Sequence, residues 1–178
     1  MATFILTVVG DDRPGLVADV SAPITAHGAS WERSQMSRLA GKFAGIVLVT
    51  VADKQLDALM ADLAMLEAEG LQVVIERTQQ PVESESQRLR LELLGGDHSG
   101  IVAEISAALA TRQVSIEELS TDVREAPMAG GMIFEAQAVL NAPPATSTDD
   151  LRSMLEGLAH ELMVEIRLSE ETDSGHAG

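Results

Sequence analysis

A chain of 178 residues with 46% apolar side chains can fill one ordinary core or two small ones, but three Phe, one Trp and no Tyr leave little to stack on a base or sugar. A formal net charge of −16 with no basic stripe speaks against direct nucleic-acid binding. The absence of cysteine excludes disulfides, thiolate metal sites and cysteine nucleophiles, and no apolar run approaches the roughly 18–20 residues of a membrane span.

Taken in chain order, Phe4–Val9 reads as a first strand. A helix is expected from about Pro14, where a missing N–H costs nothing, with Leu16, Val17, Val20 and Ile24 on one face. Pro23 then predicts a kink or an early stop. A second strand spans Ser30–Leu39, turns at Gly41-Lys42, and the Val- and Ile-rich run Phe43–Val51 follows as a third. Asp53 is the expected N-cap of a helix carrying Leu56, Leu59, Met60, Leu63 and Leu66 on its buried stripe. Gly70 ends it, and Leu71–Arg77 is a fourth strand.

The second half repeats this order. Leu89–Leu94 reads as a strand, Gly100–Gln113 as a helix and Val114–Arg124 as a strand, followed by a loop at Ala126–Gly131. Met132–Leu140 alternates as a half-buried strand should, and Ser147 or Thr148 caps a helix with Leu151, Met154, Leu155, Leu158 and Leu162 inward. Met163–Leu168 closes the half. The repeat is also literal: Gly10-Asp11-Asp12-Arg13-Pro14-Gly15-Leu16-Val17 returns as Gly95-Gly96-Asp97-His98-Ser99-Gly100-Ile101-Val102, and Ser30-Trp31-Glu32 as Ser115-Ile116-Glu117. Such a repeat is the length of a small domain, not of a solenoid unit.

The fold class is therefore α+β: two ferredoxin-like βαββαβ domains, each a four-stranded antiparallel sheet with two helices on one face. Residues 1–78 form the first domain, 79–86 a polar linker, 87–168 the second domain, and 169–178 an acidic tail read as disordered. The sheets' free edges and open faces call for pairing, with each other or with a second chain. Trp31, whose counterpart is Ile116, is expected in the core, with an interface as second choice.

Each Gly-centred turn delivers the chain to a helix N-terminus, where free N–H groups and the helix dipole suit a small carboxylate. Asp11, Asp12 and Asp97 stand close by and could accept an ammonium group, so both ends of an amino acid could be met within a few residues. Arg13 and His98 occupy equivalent places, so the turns are not tuned alike. The alternative stays open that the glycines satisfy turn geometry and the acids only cap helices. His27, His98, His160 and His176 show no metal-ligand spacing, and there is no G-x-S-x-G, P-loop or G-x-G-x-x-G motif. No catalytic residue, metal or cofactor is expected. The first residues lack the basic and apolar regions of a signal peptide, which makes a cytoplasmic protein the expectation.

The Asp12-Arg13-Pro14-Gly15-Leu16-Val17 turn after a short strand, the Arg38–Phe43 hairpin and the module order resemble the ACT domains, regulatory modules that bind small molecules between paired domains. The tandem pair is similar to the repressors of the glycine cleavage system. That resemblance implies ligand-facing positions at Asp11, Asp12, Arg13, Gly15 and Leu16 and, in the second module, at Gly96, Asp97, His98, Gly100 and Ile101. It implies further a small amino acid as ligand, glycine or serine first, a DNA-binding transcription factor as partner, and a homo-oligomer. A partner module would approach near Ser30–Arg33 or Ser115–Glu118. His98-Ser99 departs from the pattern, which leaves the second turn a pairing surface as readily as a site. Two rival readings are a pairing scaffold that binds nothing small and a regulatory subunit of a metabolic enzyme.

Overall fold

The structure, a computed structural model, describes residues 1–78, 85–128 and 130–171. The chain divides into two compact units, Met1–Val82 and Glu83–Gly178. In the first, β1 (Ala2–Asp11) leads to α1 (Leu16–Ala26), β2 (Ser30–Leu39) and β3 (Lys42–Val51). A 3₁₀ turn at Asp53–Gln55 opens α2 (Leu56–Met65), a second at Leu66–Glu69 ends it, and β4 (Leu71–Arg77) completes the unit. The second unit repeats this with β5 (Gln87–Gly96), α3 (Ile101–Thr111), β6 (Ser115–Glu125), β7 (Met132–Ala142), α4 (Thr148–Leu162) and β8 (Val164–Glu170). The strand orders are β2-β3-β1-β4 and β6-β7-β5-β8, every pair antiparallel. This is the ferredoxin-like arrangement twice.

Each core follows from alternation on the strands and the 3.6-residue period of the helices. Phe4, Leu6 and Val8 of β1 and Val47, Val49 and Val51 of β3 share one cluster with Leu16, Val20 and Ile24 of α1 and Leu56, Leu59 and Leu63 of α2. Leu89, Leu91 and Leu93 of β5 play the same part beneath Ile101, Ile105 and Leu109 of α3 and Leu151 and Leu155 of α4. Burying one such side chain contributes about 1.5–3 kcal/mol. Truncating Leu63 or Leu109, both wholly buried, to Ala would cost about 2–5 kcal/mol.

Several local expectations are corrected. The central strands outrun their apolar cores: β1 reaches Asp11 because the ladder continues through Asp11–Lys42, and β5 reaches Gly96 opposite Ile133. Helix α1 begins at Leu16, not Pro14, because Gly15 at φ 94° bars helical backbone before it. Pro23 stops nothing, since α1 and α3 both run 11 residues, with buried Val20 and Ile24 pinning the helix around it. Asp53 caps no helix; its carboxylate takes a 2.7 Å bond from the chain's terminal ammonium, and α2 starts without a side-chain cap. Met163 lies outside β8, in left-handed backbone at φ 53° as the C-cap of α4. Ser169 and Glu170 belong to β8, and Glu171 binds the Arg88 carbonyl, so the expected tail begins late. The remainder of that tail (172–178), most of the expected linker (79–84) and Ala129 of the expected loop lie outside the described residues.

Ser147 caps α4 as expected, accepting from the Asp150 amide at 3.3 Å. Trp31 and Ile116 are half-buried against their own cores, each beside a register shift in its strand. Gly10 and Gly95 are fixed by close approach. A Cβ on Gly10 would lie 2.7 Å from Leu71 Cδ2, and one on Gly95 2.5 Å from Val164 Cγ1 and 2.9 Å from Val164 Cα.

Candidate functional site

The two repeat turns have one backbone. After β1, the Asp12 amide donates to the Gly41 carbonyl at 2.9 Å, Gly15 adopts φ 94° and ψ −6°, and the Asp19 amide closes the first helical bond onto the Gly15 carbonyl at 2.9 Å. After β5, the Asp97 amide donates to the Met132 carbonyl at 2.8 Å, Gly100 adopts φ 98° and ψ −11°, and the Glu104 amide bonds the Gly100 carbonyl at 2.9 Å. This φ is costly for any residue with a Cβ, which accounts for glycine at both places. Neither helix has a side-chain cap, and nothing stands within 4 Å of where a Cβ on either glycine would lie. The first-turn amides of α1 and α3 thus have no side-chain cap, at the positive end of the helix dipole.

The side chains around the turns differ completely. At the first, the Lys42 ammonium pairs with the Asp11 carboxylate, and Arg38 Nη1 lies 3.3 Å from Asp12 Oδ2. Arg13 reaches over the helix start to Asp19 Oδ2 at 2.8 Å, with Glu69 Oε2 at 3.8 Å. Two cations, Arg13 and Arg38, and three carboxylates, Asp12, Asp19 and Glu69, therefore ring the N-terminus of α1, whereas alternation along β1 and β3 sends the Asp11–Lys42 pair to the sheet face away from the helices. All are substantially exposed, so their pairing adds little stability and can be exchanged for a ligand's charges at small cost. At the second turn the ring is missing. Strand register puts Gly96 and Ile133 where Asp11 and Lys42 stand, and Val123 where Arg38 stands. Asp97 is left in solvent, and the His98 ring reaches the last turn of α4 instead, with Nε2 2.9 Å from the Leu162 carbonyl and Nδ1 3.1 Å from that of Ser99. Those two carbonyl acceptors, with Asp97 nearby, raise the His98 pKa above its ordinary value.

Of the residues expected to face a ligand, Asp12, Arg13 and Gly15 stand at the start of α1 and Asp97, His98 and Gly100 at the start of α3, whereas Asp11 lies on the far face of the first sheet. Leu16 and Ile101 turn their side chains into the cores, with 3% and 2% of their surface exposed, and can offer only backbone N–H groups. Asp11 and Gly96 are strand residues, not turn residues. The acids are not bare acceptors, since both carboxylates of the first turn already hold cations. Arg38, Asp19 and Glu69 complete the ring and were not legible as site residues. Only the β2–β3 register shows that a hairpin some thirty residues along returns to the turn. Among the described residues no group of His, Asp and Glu could hold a metal ion, and no helix is long and apolar enough to cross a membrane.

Comparison with known proteins bears on the same region. An ACT-domain family model matches residues 2–76. A UPF0237 protein of the archaeon Methanopyrus kandleri is 33% identical over 79 residues, covering 43% of this chain and 88% of its own length. A crystal structure of a protein of unknown function from Galdieria sulphuraria superposes with a TM-score of 0.85 at 31% identity, over 96% of this chain and 99% of that one. A candidate glycine cleavage system transcriptional repressor superposes with a TM-score of 0.71 at 18% identity, over 95% and 96% of the two chains; at that identity the likeness is one of fold. With the βαββαβ order present in both units, the chain carries an ACT domain over residues 2–76 and repeats its architecture in the second unit.

Proposed function

We propose that this protein is an amino-acid-responsive regulator, which binds a small amino acid at the Gly15 turn and acts on transcription through a DNA-binding protein partner. The observation that carries the reading is the uncapped start of α1 inside a ring of exchangeable charges. A ligand carboxylate would take the free amides after Gly15, with Arg13 and Arg38 adding positive potential. Its ammonium would take Asp12. Glycine and serine are the first ligands to test, because the resemblance points to them and the opening is hemmed by long charged side chains. The second turn has no such ring, so the ligand is assigned to the first. The strong acidity of the chain favours a protein over DNA as its target.

The protein works without a cofactor, as a cytoplasmic regulator and not an enzyme. Occupancy can bias its partner only if the ligand prefers one arrangement of the modules, and a coupling of about 1–3 kcal/mol suffices. The test is thermal unfolding against the standard amino acids. A ligand at a hundred times its Kd stabilises a single site by about 2.7 kcal/mol. One or two amino acids should stabilise the wild type and have no effect on Gly15→Leu. No response to any of them would favour the scaffold reading, or that of a regulatory subunit whose signal comes from its enzyme.

A further inference from the structure

The two sheets differ on the faces turned away from their helices. In the first, Phe4, Leu6, Val8, Val47 and Val49 point into the core, so alternation sends Ile5, Thr7, Val9, Ala44, Ile46 and Leu48 to the opposite face. The register stacks them across the two central strands, with Ile5 opposite Leu48, Thr7 between Ile46 and Val74, and Val9 opposite Ala44. Ile46, Val74 and Val9 are 46%, 55% and 39% exposed. In the second sheet the same ladder positions hold Arg90 for Ile5, Glu92 for Thr7, Glu135 for Ala44, Gln137 for Ile46 and Arg167 for Val74. Ion pairs tie this second face together, among them Arg124–Glu135 at 3.4 Å and Arg90–Glu171 at 3.0 Å. The fold is content with a charged open face. Leu94 and Val139 keep the places of Val9 and Leu48, but charged and polar residues break up the second face where the first is continuous and apolar.

We propose that the open face of the first sheet is the dimerisation surface of this protein, and that a second copy of the same face covers it. Three observations select that occupant. The face has an uncharged centre on the central strands β1 and β3, while its rim carries both signs: Asp11 with Lys42 at one end, and Glu32, Arg33 and Glu76 toward the other. That is interface anatomy, and a flat apolar centre is complementary to itself about a twofold axis. The charge of the chain is also unevenly divided. Residues 1–78 hold six basic and ten acidic side chains, residues 79–178 six basic and eighteen acidic. Two copies repel each other least through their first domains. Finally, four strands about 4.8 Å apart and roughly 25–33 Å long present about 500–600 Å². Two copies would then bury about 1,000–1,200 Å², at the lower bound of a specific interface. The sheets would pack about 10 Å apart.

The test is sedimentation equilibrium of the full chain, together with the double variant Ile46→Glu/Val74→Glu. The expected wild-type species has twice the chain mass of 18.9 kDa. Each substitution enters the interface twice and places a carboxylate against the apolar centre, so the dimer dissociation constant should rise by at least about thirtyfold. Circular dichroism should be unchanged, because these positions are exposed and their counterparts in the second sheet are polar. A second measurement uses the absence of cysteine. Thr7→Cys should cross-link two copies on mild oxidation, and Gln137→Cys, at the charged face, should not. A chain that stays monomeric overturns the proposal, as does a dimer indifferent to the two glutamates. If the double variant loses its fold, the cross-link decides: a Gln137→Cys dimer without a Thr7→Cys dimer also overturns it.

Discussion

Gly15 and Gly100 form a matched pair for separating conformation from function. Their backbones differ by 4° in φ and 5° in ψ, and an added Cβ meets nothing within 4 Å at either. Replacing either by Ala costs only the left-handed backbone term, about 1–2 kcal/mol. The smaller conformational entropy of the unfolded chain returns about 0.4–1 kcal/mol. A net loss of about 1 kcal/mol is expected for each variant, or roughly 4–8 °C in the Tm of a domain of this size. The two should part company only in ligand response. The new methyl group at Gly15 occupies the space a carboxylate needs inside the charged ring, and Gly100 has no ring. Thermal unfolding of wild type, Gly15→Ala and Gly100→Ala, each with and without the stabilising amino acid, makes the comparison. Equal Tm losses, with the response gone only in Gly15→Ala, are expected. Loss of the response in Gly100→Ala with its retention in Gly15→Ala would refute the reasoning, and a cost above about 4 kcal/mol at either glycine would refute the claim of open space.

Other consequences are simpler to check. Gly95→Ala should destabilise more than Gly10→Ala by urea unfolding, because its Cβ meets the Val164 backbone at 2.9 Å, whereas the closest obstacle at Gly10 is the end of the Leu71 side chain; an overpacking cost of about 1–3 kcal/mol is expected at Gly95. Ser147→Ala removes the cap of α4 and should cost about 1 kcal/mol, which Ser147→Asp should largely restore. His98 has its folded pKa raised by the Leu162 and Ser99 carbonyls, so its contribution is fully present below the ordinary histidine value of 6.5 and is lost as pH rises through the folded value. His98→Gln should flatten that part of the stability–pH profile, measured by unfolding midpoints from pH 5 to 9. A profile unchanged by the substitution would contradict the contact with α4.

Much of the architecture was legible because it rests on local pattern. Ser30–Leu39 and Leu71–Arg77 coincide with β2 and β4, since Gly28 and Gly41 bracket the first and Gly70 opens the second. The helix starts misled, because Pro14 carries a first-turn signature while the decisive residue, Gly15, acts through a φ that spacing does not reveal. Asp53 shows the same limit: a good cap residue was taken instead by the terminal ammonium, 52 residues away in sequence. The candidate site was half legible. The turn motif names Asp11, Asp12, Arg13 and Gly15, but Asp11 falls on the other face of the sheet with Lys42, and Arg38 joins the rest only through the register of a hairpin. The difference between the two turns lies largely in those partners. His98 looked like a counterpart of Arg13, yet the fold directs it to α4.

The measurement closest to the central claim is an amide-resolved NMR titration of the full chain with the amino acid that stabilises it. The largest shifts are expected at the backbone amides of Leu16, Val17 and Ala18, with Arg13 and Arg38 side-chain signals moving alongside and the amides of Ile101, Val102 and Ala103 still. Shifts centred on the Gly100 turn, or none near Gly15 at a saturating ligand concentration, would contradict the account.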